Sequence, residues 1–67
     1  MDNEIQYYIL VWVWDGLDYK QKITYETTSK DDAEEKYEAT RPTFDEPLIE
    51  LYEVGEDEDK RIKYKEV

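Results

Sequence analysis

Cysteine and histidine are both missing from the 67 residues, and there are only two glycines, two prolines and one serine. Without cysteine no disulfide can staple the chain. Without either residue the usual structural zinc sites have no thiolate or imidazole to build on. A chain free of cysteine suits a reducing compartment, so a cytoplasmic location is expected. Nucleophilic catalysis has little to work with, because no Cys or His is present and the lone Ser29 is better used as a helix cap. Gly16 and Gly55 stand alone, so there is no glycine-rich phosphate loop. The longest apolar run, Tyr7 to Trp14, is far short of the ~20 residues that a membrane-spanning helix needs. Asp2 and Glu4 precede it, where a secretory signal would carry positive charge. No membrane association is expected.

Negative charge is abundant. Nineteen Asp and Glu face nine Lys and Arg, for a net charge of -10. Such a chain is repelled by bare nucleic acid and drawn to basic protein surfaces. Direct nucleic-acid binding is therefore not expected. Seven Tyr, two Trp and one Phe argue for a folded domain and against an acidic disordered tail. A domain of this size hides only about 60% of the surface of its unfolded chain, so self-association or a protein partner is an early expectation.

Residues 4 to 14, EIQYYILVWVW, are dense in β-branched and aromatic residues and apolar on both parities, which predicts a central strand. Asp15-Gly16 then suits a tight hairpin, with a loop of two residues or of four, Asp15 to Asp18. Residues 19 to 28 alternate as a half-buried strand. Ser29-Lys30-Asp31-Asp32 fits a helix start, with Ser29 accepting from the Asp32 amide. Ala33, Tyr37 and Thr40 follow at helical spacing, and Pro42 cannot continue the helix, which predicts a helix over 30–40. Residues 42 to 47 are a loop in which Phe44 is expected to anchor into the core. Strands are predicted at 48–54 and 60–66, with an acidic turn at 55–59. The expected fold is one α+β domain over residues 1–67: ββαββ, a four-stranded antiparallel sheet with one short helix on one face.

An even hairpin loop places even residues of the first strand beside odd residues of the second. One face then carries Tyr8, Leu10, Trp12, Trp14, Tyr19, Ile23 and Tyr25, and is expected to be the core under the helix. The other carries Ile5, Tyr7, Ile9, Val11 and Val13, which a single helix cannot also cover. Either a loop or the C-terminal residues fold over that stripe or it is an apolar interface, and an odd loop or a bulge would exchange the faces. The interface reading implies that Val11→Lys would break an assembly and leave a folded monomer.

Arg61, Lys63 and Lys65 share a parity that can join Lys20 and Lys22 on the outer face. Lysines on edge strands also deter edge-to-edge pairing. The run Gly55 to Asp59 offers oxygens to a hard cation but lacks EF-hand spacing, and is read as a solvated turn. No catalytic residue, metal or cofactor is expected, and the protein is not expected to be an enzyme. In size, acidity and lack of Cys and His the chain resembles small accessory proteins of bacteriophages and mobile elements, some of which inhibit partners by mimicking DNA. The leading expectation is a protein–protein interaction module, a homodimer joined through Tyr7, Ile9, Val11 and Val13. The alternative is an acidic decoy of a nucleic-acid-binding protein, using Glu34, Glu35, Glu38 and Asp57.

Overall fold

The computed structural model describes residues 5–67, so Glu4, at the start of the expected first strand, lies outside the described residues. Strand β1 is Tyr7–Trp14. A four-residue loop, Asp15 to Asp18, turns it into β2, Tyr19–Thr27. The Asp15 carboxylate holds that loop by accepting from the amides of Leu17 and Asp18, both at 2.9 Å. These amides, first among the causes, and Lys20 at 3.1 Å keep the Asp15 carboxyl below the usual aspartate range. Gly16 has φ +101°, a conformation that side chains disfavour.

Helix α1 is Lys30–Ala39. Ser29 Oγ accepts from the Asp32 amide at 3.2 Å, and Asp31 and Asp32 lie in the first turn, where the helix dipole favours negative charge. Strand β3 is Leu48–Glu53 and β4 is Lys60–Glu66. In the turn between them a Cβ on Gly55 would collide with the Glu58 carbonyl, so a side chain there has no room. The order ββαββ forms one antiparallel sheet, β2-β1-β3-β4. β1 is central, as its two-sided apolar pattern requires. β2 and β3 run parallel to each other on either side of it, joined through α1.

The helix covers the opposite face from the one expected. Ile9 and Val11 are buried with Ala33, Tyr37, Ile49 and Leu51, and Tyr7, Val13, Tyr25 and Ile62 pack around them. The stripe Tyr7, Ile9, Val11, Val13 is thus the floor of the core and not a free interface. Two physical reasons combine. The helix presents only Ala33 and Tyr37 as buried residues, so it lies close to the sheet. Aliphatic Ile9, Val11, Ile49 and Leu51 fit beneath it, whereas Trp12 and Trp14 would hold it away. Burying each of these aliphatic side chains contributes about 1.5–3 kcal/mol. A bulge completes the change. Leu10 pairs with Ile23 but Ile9 pairs with Tyr25, so Thr24 is an extra residue and Tyr25 crosses to the helix side.

Two further expectations are corrected. Phe44 is 88% exposed and anchors nothing in the core. Thr43 and Glu46 exchange backbone hydrogen bonds at 2.9 and 3.2 Å, which makes Phe44 the tip of a tight turn. Of the basic residues of β4, Lys63 and Lys65 share the helix side with Lys20 and Lys22, but Arg61 does not. A second bulge at Ile62 separates Arg61, paired with Tyr52, from Lys63, paired with Leu51. Lys63 and Lys65 lie over the Tyr37 ring on the helix side, and Lys65 donates to the Tyr37 carbonyl at 2.7 Å.

Candidate functional site

The helix leaves one sheet face uncovered, and the pairing registers assign its residues. Across β1, β2 and β3 it carries Tyr8, Leu10, Trp12, Trp14, Tyr19, Ile23, Leu48 and Tyr52. Side chains alternate along each strand, so burying Ile9 and Val11 under the helix sends these neighbours to the other side. The Tyr8 and Tyr52 rings stack at 5.3 Å with planes 5° apart. Ile23 is 48% exposed, and Trp14, Tyr19 and Tyr64 are exposed as well. A cleft of about 240 Å³ opens between Trp12, Tyr19, Pro47 and Leu48.

One ionic contact organises the middle of this face. Glu50 is only 4% exposed. Its carboxylate accepts from the Trp12 indole at 2.9 Å and from the Arg61 guanidinium at 2.9 Å. Arg61 also lies over the Tyr64 ring, 4.3 Å from its centre. Glu50 therefore fixes the orientation of one Trp and, through Arg61, of the β4 edge. Among the described residues no buried side-chain nitrogen or oxygen lacks a hydrogen-bond partner.

Tyr8 is tied to the far turn, because its hydroxyl donates to the Asp59 carboxylate. Burial first, and then this carboxylate acceptor, push the Tyr8 phenol well above its ordinary pKa. Burial, and then Glu38, push Tyr37 up as well. Both groups have a folded pKa above the unfolded one. Their contribution to stability is therefore full below the ordinary tyrosine value, about 10, and is lost as pH rises through the folded values. Phenolate absorbance should show two late-titrating tyrosines in the folded protein, one of which disappears in Tyr8→Phe. Normal titration of all tyrosines before unfolding would contradict this.

The acidic residues singled out in the sequence are scattered. Glu34 is half-buried on α1, Glu35 and Glu38 are exposed on the same helix, and Asp57 is exposed in the β3–β4 turn. Glu38 faces Lys63 at 3.9 Å, which offsets part of the helix charge. Among the described residues no three acidic side chains converge as a metal site would require, and no helix is long and apolar enough to cross a membrane. Sequence reasoning placed Trp12, Trp14 and Tyr19 in the core. The signal that would have freed them lies in β3, where Glu50 between Ile49 and Leu51 marks the face turned away from the helix.

No protein-family model matches the chain, and neither a curated protein nor a solved structure was found to be similar to it.

Proposed function

We propose that the protein is a non-enzymatic protein–protein interaction module that self-associates through the helix-free face of its sheet. The observation that carries this reading is the sheet face that no helix covers, on which Ile23 and Tyr64 are exposed, Tyr8, Trp12, Leu48 and Tyr52 are half-buried and Leu10 is buried between its neighbours, since apolar sheet faces of this kind serve as interfaces. The occupant is a second copy. Four strands about 4.8 Å apart, six to nine residues long at ~3.4 Å each, give a face of roughly 500 Å² in projection. Side-chain relief adds to that, which approaches the roughly 800 Å² per partner of a standard interface.

Charge supports the same choice. By register the face holds Glu26, Glu50, Glu66 and Arg61, three acids and one base, in a chain of net charge -10. So few charges on the face let two copies meet there with little repulsion. Two sheets would pack about 10 Å apart with both helices outside. Burying this face also reinforces a domain whose own core is small.

Light scattering at low and high salt tests the reading. The expected mass is near twice the 8.2 kDa of the chain and persists at high salt, because the contact is apolar. Ile23→Lys, at an exposed position, should give a folded monomer. A wild-type monomer at both salts, or a dimer unaffected by Ile23→Lys, would overturn it. A monomer that captures a basic protein in a steeply salt-sensitive way would favour instead the acidic decoy built on Glu35, Glu38 and Asp57.

A further inference from the structure

At the hairpin end of the sheet three different aromatic rings line one cleft. Trp14 closes β1, Tyr19 opens β2, and Phe44 tips the turn that precedes β3. Together these three residues line a space of about 270 Å³. The Trp14 and Tyr19 rings are 4.9 Å apart and tilted by 57°, so they form a corner and not a flat stack. The Trp14 amide donates to the Asp45 carbonyl at 2.8 Å, which ties the loop to the strand and holds Phe44 beside the corner.

Phe44 is 88% exposed, and the neighbouring Leu17, at the hairpin tip, is 91% exposed. Ring faces carry the negative lobe of the aromatic quadrupole, so walls of Trp, Tyr and Phe attract a weakly hydrated cation. Each ring also has an acid next to it in the chain: Asp15 after Trp14, Asp18 before Tyr19 and Asp45 after Phe44. Asp15 is already paired with Lys20 at 3.1 Å and Asp18 accepts from the Tyr19 amide, so the preference for a cation is set by the ring faces and by the net charge of -10.

We propose that Trp14, Tyr19 and Phe44 form an aromatic cage for a quaternary ammonium group, carried by an alkylated lysine in a basic segment of another protein. The basic carrier follows from charge complementarity, since the acidic surround repels the phosphate of a choline headgroup. The inference goes beyond self-association and does not rest on it: Trp14 and Tyr19 lie on the helix-free face at its hairpin end, and the cage is tested in the Ile23→Lys monomer, where no second copy covers them.

The first probe is tetramethylammonium, followed by proton and amide NMR in the wild type and in the monomeric Ile23→Lys variant. The Trp14 indole and Tyr19 ring signals should move in the monomeric variant, whatever the wild type shows, and the methyl signal of the ion should move upfield between the rings. A neutral near-isostere, neopentyl alcohol, should bind about two- to fivefold more weakly, and Phe44→Ala should weaken the ion by a similar factor. An arginine-flanked trimethyllysine peptide should bind more tightly than tetramethylammonium, and phosphocholine more weakly. Equal binding of the neutral isostere, a silent Trp14, or indifference to Phe44→Ala would overturn the cage. Tighter binding of phosphocholine than of the peptide would overturn the basic carrier. Changes at Ile23 leave these three rings in place, so failure of the dimer and failure of the cage are read separately.

Discussion

Val11→Lys should unfold the protein instead of dissociating a folded assembly. Val11 lies in the middle of β1, beside Lys22 on β2 and Ile49 on β3, and is buried under the helix. A lysine there must bury its ammonium group without a partner or push the helix off the sheet. Removing an unpaired charge from water costs several kcal/mol even after relaxation. A domain of this length has a total stability of roughly 3–10 kcal/mol, so little or nothing remains. Circular dichroism should show a largely unfolded chain at room temperature. Ile23→Lys is the matching control: the same charge on the uncovered face should leave a cooperative melt. A well-folded Val11→Lys monomer would mean that the helix does not sit on this face.

Tyr37→Ala should be nearly as severe. The helix buries only Ala33 and Tyr37, and Tyr37, 5% exposed, is its one large anchor. Replacing a buried aromatic by alanine typically costs about 3–5 kcal/mol. For a domain of this size such a loss lowers the melting temperature by more than about 10 °C. The loss should be concentrated in the helix and should uncover Ile9, Val11, Ile49 and Leu51. Helical dichroism should therefore fall and binding of an apolar dye should rise. Tyr37→Phe keeps the ring against Lys63 and Lys65 and should melt close to the wild type. If Tyr37→Ala also melts within a degree or two of the wild type, the helix is not held by this residue.

The elements were legible in the sequence because their signals are local. Ser29 and Asp32 mark the helix start, Pro42 follows its end, and the two-sided apolar β1 marks the centre of the sheet. The four-residue hairpin loop was one of two lengths that the Asp15-Gly16 turn allowed. What was not legible was which side the helix takes. On β1 both parities are apolar, so alternation carries no information about the side. On β2 the bulge at Thr24 reverses parity halfway along, and nothing in KITYE announces it. The deciding pattern is the alternation of Ile49, Glu50 and Leu51, which matters only once β3 is known to lie beside β1. The same ambiguity hid the candidate surface: Trp12, Trp14 and Tyr19 read as core material until the small aliphatic side chains were seen to fit better under a close-lying helix. Phe44 was misplaced for a different reason, since a large aromatic in a loop usually points inward and here the Thr43–Glu46 turn points it out.

The place of β1 in the sheet also governs the order in which the molecule can come together. β1 and β2 are neighbours in the chain and can zip at once across a four-residue loop. The other side of β1 must wait for β3, which arrives only after the whole helix and its following loop. Closing that longer span is the slower, entropically dearer event, and it is the one that seals Ile9 and Val11 against Ile49 and Leu51. As the chain grows, the stickiest segment emerges before the strand that covers it. In the interval the hairpin shields it, and the dense negative charge keeps growing chains apart.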